Sequence, residues 1–142
     1  VPIAGQVLFH KSFVYANQSV GKKLVIALNT VDNEDMCLVL KTTSQSKYYN
    51  GTHPGCNSAK KCFSIYVECE QAGFNKPTFV QLDNIYPIDV AQLLDEKSLS
   101  FVGQLSDACF NNLRRCLRKF RDDIPDLFWE MIFVPYRGTK AN

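Results

Sequence analysis

Short apolar runs separated by polar, turn-forming segments occupy the first two thirds of the chain. Gln6-Val7-Leu8-Phe9-His10 reads as a strand, followed by a loop over Asn17-Gln18-Ser19-Val20-Gly21-Lys22-Lys23. Leu24-Val25-Ile26-Ala27-Leu28 is unbroken apolar sequence and predicts a buried strand. Beyond the acidic turn Asp32-Asn33-Glu34-Asp35, the run Met36-Cys37-Leu38-Val39-Leu40 predicts its hairpin partner. Ser46 to Lys61 is the longest irregular stretch, rich in the turn formers Asn50, Gly51, Pro54 and Gly55. Phe63 to Glu68 then alternates with period two, turning Phe63, Ile65 and Val67 to one face and Ser64, Tyr66 and Glu68 to the other. Thr78-Phe79-Val80-Gln81-Leu82 and Asn84-Ile85-Tyr86-Pro87-Ile88 predict two more strands, the second at an edge because Pro87 has no N–H for a ladder. Short strands joined by long loops point to a small β-barrel.

At Ser106 the period changes. Cys109, Leu113, Cys116, Leu117 and Phe120 recur at spacings of four and three, one face of a helix running from Ser106 to Phe120. Ser106 suits the N-cap, Asp107 the positive end of the helix dipole, and Leu105 with Phe110 a hydrophobic staple. Arg114, Arg115, Arg118, Lys119 and Arg121 crowd the C-terminal half, where they complement the dipole or, in the competing reading, bind phosphate. Pro125 opens a second short helix, Asp126 to Phe133, apolar nearly all round. Such a segment needs cover, either from the chain's own core or from a second subunit.

A chain of 142 residues is sized for one domain with its own core: a barrel over about 5–104, a helix over 106–121 and an apolar extension over 122–142. No apolar run reaches the roughly 20 residues of a membrane span, so no membrane partner is expected. A net charge of +2 is too mild to indicate a polyanionic partner by itself.

Six cysteines are present, of which Cys37 lies in a strand run and Cys109 and Cys116 lie on the helix stripe. These positions suit reduced cysteine acting as a small hydrophobe, which implies a cytoplasmic protein and makes the sequons at Asn17 and Asn50 chance matches. Cys109 and Cys116 cannot bridge each other, since seven residues along a helix span about 10 Å against a Cα limit of about 7 Å. His53, Cys56, Cys62 and Cys69 have zinc-type donors, but their irregular spacing lacks Cys-x-x-Cys knuckles, and no metal is expected. With no glycine-rich phosphate loop, no nucleotide cofactor is expected either. His10 has no evident partner.

Five segments in order carry more than their composition: Gly5-Gln6-Val7; Val20-Gly21-Lys22-Lys23-Leu24-Val25-Ile26; Leu38-Val39-Leu40-Lys41-Thr42-Thr43-Ser44; Val80-Gln81-Leu82-Asp83-Asn84-Ile85-Tyr86-Pro87-Ile88-Asp89; and Phe101-Val102-Gly103-Gln104-Leu105-Ser106-Asp107. Their order and spacing from Gly5 to Arg121 resemble the MazF/PemK-like (Kid-type) toxins, most specifically at Leu82-Asp83-Asn84-Ile85 with Asp89 and at Gly103-Gln104-Leu105-Ser106. The resemblance implies an SH3-like β-barrel, mainly β with a C-terminal helix, that forms a homodimer, meets an antitoxin-like protein and cleaves single-stranded RNA without metal. By position it assigns the catalytic cation to Lys23 and the hydroxyls to Thr43 and Ser44. The chain departs from the family where Arg-Pro has become Lys23-Leu24, where Lys41-Thr42 displaces a proline, and where Tyr86 stands in place of an arginine. A point-charge ammonium does not reproduce a guanidinium fork.

The nucleic-acid-binding set under this reading is Lys22, Lys41, Lys47, Tyr48, Tyr49, Lys61 and Tyr86, with Lys60 beside it. Ordinary explanations stand next to it: Thr43 and Ser44 as a polar strand end, Lys23 as a surface charge, and the loop tyrosines as packing lids. The alternative function is a barrel that has lost the chemistry and binds nucleic acid or a protein partner.

Overall fold

The structure, a computed structural model, describes residues 2–15, 17–31, 36–66 and 72–134. Among these, eight strands form one antiparallel sheet: β1 (Gln6–Val14), β2 (Val20–Ala27), β3 (Met36–Thr43), β4 (Gly55–Asn57), β5 (Cys62–Ile65), β6 (Thr78–Gln81), β7 (Tyr86–Asp89) and β8 (Leu99–Gln104). The order is β4-β5-β6-β3-β2-β1-β8, with β7 also paired to β3. Three helices accompany it: α1 (Val90–Asp95), α2 (Asp107–Leu117) and α3 (Asp126–Phe133). This is the mainly β architecture with a C-terminal helix that the hydrophobic pattern predicts. No helix among the described residues is long and apolar enough to cross a membrane.

The unbroken apolar runs have a direct cause: both faces of the central strands are covered. Ile26, Leu28, Leu38 and Leu40 enter a large cluster with Phe63, Ile65 and Val80 and with Phe110, Leu113 and Leu117 of α2. The residues between them, Val25, Ala27, Cys37 and Val39, enter a second cluster on the opposite face with Leu8, Phe13, Val90 and Leu99. Strand alternation thus delivers one run to two cores. Fully buried leucines such as Leu113 and Leu117 each contribute about 1.5–3 kcal/mol through removal of apolar surface from water.

The predicted start of α2 is observed. The Ser106 hydroxyl accepts from the Cys109 N–H at 3.1 Å, and Leu105 and Phe110 are both buried in the large cluster. The helix is shorter than its pattern, because Arg118–Asp123 continues as a 3-10 stretch with Phe120 outside helical geometry. Ile132 and Phe133 of α3 pack into the same large cluster, so the chain's own core covers the buried side of this helix, while Leu127 stays 61% exposed.

Several expectations are corrected. Val20 to Lys23 are strand, not loop, because β1 and β2 extend into one long hairpin that pairs Val14 with Val20. The period-two strand ends at Ile65, its Ser64 is buried, and Val67 and Glu68 lie outside the described residues. Helix α1 and strand β8 have no counterpart in the sequence reading; β8 buries Leu99 but exposes Phe101 and Val102, so it lacks an alternating signal. Gly103 in β8 is a contact point, since a Cβ there would run into the Ala72 carbonyl.

The reduced state expected for the cysteines holds at Cys37 and is overturned at Cys116. Cys56 of β4 and Cys116 of α2 form a disulfide with their Cα atoms 5.5 Å apart. Helical spacing rightly keeps Cys116 from Cys109, but it is silent on what α2 packs against; the docking of α2 on β4 brings the two sulfurs together. The bridge also removes Cys56 from the zinc-type set of His53, Cys56, Cys62 and Cys69, of which Cys69 lies outside the described residues. Cys37 and Cys62 are buried thiols, and burial pushes the Cys37 thiol up to about 12.

Candidate functional site

Register decides which basic residues meet. Lys23 of β2 lies opposite His10 of β1, and Lys41 of β3 lies opposite Val25 of β2. Paired and alternate residues share a face, so His10, Lys23, Val25 and Lys41 all lie on the side of the smaller cluster. Thr43 lies two residues past Lys41 on β3, hence on the same face, and its partner on β6 is Phe79.

The two lysines rest on aromatic rings. Lys23 Nζ lies 5.8 Å from the Tyr15 ring centroid, and Lys41 Nζ lies 5.8 Å from that of Tyr86. Both tyrosines meet the buried Phe13 ring edge-on, at 5.7 and 5.0 Å. His10 approaches Phe13 at 5.5 Å. Strand β1 can place His10 and Phe13 on one face because its register shifts between them, pairing His10 with Lys23 but Phe13 with Gly21. Tyr15 lies across Gly21, where any Cβ would come within 2.8 Å of the ring.

The charges here are unbalanced. Burial, and next the positive charge of Lys41, draw the Lys23 pKa below its ordinary value. The ion pairs among the described residues lie elsewhere, between Lys61 and Asp123 at 3.9 Å and between Arg121 and Asp126 at 3.0 Å. Two ammonium groups thus share one face without an ion-pair partner among the described residues, an arrangement whose field attracts anions. Thr43 adds a hydroxyl whose Oγ1 accepts from the Gln45 N–H at 3.1 Å, which leaves its hydrogen to donate. Thr42 takes no part: it is buried and donates to the Leu24 carbonyl at 2.8 Å.

Of the residues singled out from the sequence, Lys23, Lys41 and Tyr86 come together, and Thr43 shares their face. Ser44 lies exposed just beyond β3, and Lys22 alternates to the opposite face from Lys23. Tyr49 is packed, stacked on Phe79 at 5.0 Å with its hydroxyl accepting from Gln81 Nε2 at 2.9 Å. Tyr48 is 67% exposed, with Lys47 Nζ 4.9 Å from its ring centroid. Lys61 turns toward the 3-10 stretch after α2, resting over Phe120 at 5.9 Å. Sequence reasoning missed Phe13 and Tyr15, although two aromatics at period two after the first strand were the available signal.

The arginines of the C-terminal region serve another purpose. Arg118 stacks over Phe133 and Arg121 over Trp129, each at 4.4 Å, while Arg114 lies between Phe110 and Phe133 at 5.6 and 5.7 Å. They roof the aromatic side of α3 through cation–π contact.

His10 supplies a test of this face. It is buried, and its Nδ1 accepts from the Ser12 N–H at 3.2 Å, a bond that only the ring with unprotonated Nδ1 can make. Burial pulls its pKa below the ordinary 6.5, against a smaller upward pull from Glu96. Between the folded value and 6.5 the unfolded chain binds more protons, so this contribution is present above pH 6.5 and is lost as pH falls below it. Urea midpoints followed from neutral to mildly acidic pH should fall more steeply for the wild type than for His10→Gln. Parallel curves would show that His10 does not carry the acid sensitivity.

No family model and no curated protein matches this chain at the level of sequence. Among solved structures, a chain in the crystal structure of MazE-MazF from Deinococcus radiodurans is similar, with a TM-score of 0.59, 14% identity, and coverage of 86% of this chain and 97% of that one. At that identity the likeness concerns the fold, and the fold of this chain is MazF-like.

Proposed function

We propose that this chain is a divergent toxin-antitoxin-type protein that cleaves single-stranded RNA without a metal ion. The observation that carries this reading is the convergence of Lys23, Lys41 and Thr43 on one sheet face without a carboxylate partner among the described residues. In the reaction a ribose 2′-oxygen attacks its own phosphodiester, the bond to the 5′-oxygen breaks, and a 2′,3′-cyclic phosphate and a 5′-hydroxyl result. The ammonium of Lys23 holds the negative charge that builds on the phosphorane, and the Thr43 hydroxyl positions an equatorial oxygen. Ser44 lies next to it at the end of the strand.

Exposed Tyr48 and Lys47 extend the surface along which a strand of RNA would run. A second copy of the chain, an antitoxin-like protein and a cytoplasmic setting belong to the same reading. Its support on the last points is the MazF-like fold and the pairing named in the similar MazE-MazF crystal structure.

The test is incubation of the purified protein with a mixed-sequence RNA in EDTA, followed by analysis of the product ends. Cyclic or 3′ phosphates are expected. Intact RNA at high protein concentration, together with salt-dependent RNA binding, would assign the face to binding without cleavage. Intact RNA and no binding at low salt would remove nucleic acid from the account.

A further inference from the structure

We infer that Lys23 and Lys41 act together as a two-ammonium clamp on one phosphodiester, held at their spacing by the Tyr15–Phe13–Tyr86 aromatic triad. The inference rests on the reading of this face as an RNA site and adds what holds the phosphate there.

A guanidinium grips a phosphate through two parallel N–H donors on one rigid plane, and a single ammonium does not. Two ammonium groups can, provided their separation is set. Val25 pairs with Lys41, and Lys23 is two residues along β2 on the same face, so the two lysines are diagonal neighbours with Cβ atoms roughly 7–8 Å apart. Long, flexible side chains at that distance would ordinarily splay apart under like charge. Here each is tethered: Lys23 over Tyr15 and Lys41 over Tyr86, both at 5.8 Å. The two rings lean on the single buried ring of Phe13.

The arrangement is close to symmetric, lysine–tyrosine–phenylalanine–tyrosine–lysine, although its parts come from β1, the residue just past it, β2, β3 and β7. The neighbours on this face are His10 of β1, Tyr15 just past it, Tyr86 of β7 and Thr43 of β3; Glu96 reaches His10 electrostatically but forms no ion pair with either lysine among the described residues. Burial first, and then the nearby charge of Lys41, lower the pKa of Lys23, in keeping with a second cation close by. Phe13, Tyr15 and Tyr86 are positioning residues in this account, acting on the phosphate only through the lysines.

The experiment uses a short all-2′-deoxy oligonucleotide, which has the phosphodiester but lacks the attacking hydroxyl, and the full chain labelled with 13C and 15N at lysine. The Cε signals of Lys23 and Lys41 should move together along one binding curve. Lys41→Gln should weaken binding about 10- to 100-fold, the worth of a charge-assisted hydrogen bond, and should raise the pH midpoint of Lys23. In a double-mutant cycle Lys23→Gln and Lys41→Gln should be strongly non-additive. Tyr86→Phe should bind as the wild type, whereas Tyr86→Leu should approach the Lys41→Gln affinity with the amide spectrum otherwise preserved.

Joint lysine shifts with RNA left intact would uphold the clamp and remove the cleavage reading. RNA cleavage with neither lysine signal moving would do the reverse. Movement of Lys23 alone, or additive effects in the cycle, would overturn the clamp. If a glutamine variant fails to fold, Lys41→Arg read on the same spectra decides: unchanged affinity and a retained effect on Lys23 support the paired cations, and loss of Lys23 coupling refutes them.

Discussion

Reduction of the Cys56–Cys116 bridge is expected to cost about 4 kcal/mol of stability in the chain-entropy account, because it frees a loop closed across 60 residues. The released segment is not a passive tail. It contains most of β4, all of β5, β6, β7 and β8, and helix α1, and so more than half of the described strands that build the sheet. Strand β4 has only three residues and pairs with β5 alone, so the covalent link to α2 is its main anchor outside that hairpin. A loss of this size lowers the thermal midpoint by on the order of 10 °C for a domain of this length. Urea unfolding with and without a reductant, repeated on the Cys56→Ser/Cys116→Ser double variant, measures it. A difference that vanishes would mean that packing between α2 and β4 already supplies the constraint. The outcome also bears on setting, because a cytoplasm keeps exposed disulfides reduced. A chain that stays folded and active in reductant can work there; one that unfolds requires an oxidising compartment.

Replacing Lys23 by methionine is expected to lower RNA cleavage by about 10²–10³-fold, the usual consequence of removing one preorganised group that meets developing negative charge. Stability should not fall with it. Lys23 is partly desolvated beside Lys41 and has no carboxylate partner among the described residues, so the neutral side chain removes a repulsion without orphaning a counter-charge. Lost activity combined with an unchanged or raised unfolding midpoint separates a functional role from a structural one. Lys22→Met, on the opposite face of the same strand, is the matched control and should cleave as the wild type. Single-turnover rates in EDTA provide the comparison, and equal rates for Lys23→Met and the wild type would take Lys23 out of the chemistry.

The sequence by itself determined the elements whose signals are local. The runs Leu24 to Leu28 and Met36 to Leu40 show their burial because both faces of a central strand must be apolar. The start of α2 is legible because capping and the staple involve neighbours within one turn, from Leu105 to Phe110. The ordered segments from Gly5 to Ser106 were enough to indicate the barrel class, which the MazF-like fold bears out.

Tertiary structure decided everything that depends on which strands meet. Lys23 and Lys41 are 18 positions apart in the chain, and only the β2–β3 register makes them neighbours. Tyr15 and Tyr86 share a support in Phe13 because β1 and β7 both border the central strands, a relation no local pattern contains. Lys61 looked like part of the basic loop but turns to Asp123 and Phe120 instead. Cys116 was correctly placed on the apolar stripe, yet its partner across 60 residues was hidden until α2 docked on β4. Periodicity reports the direction in which a side chain points; what waits in that direction is set by packing over the whole chain.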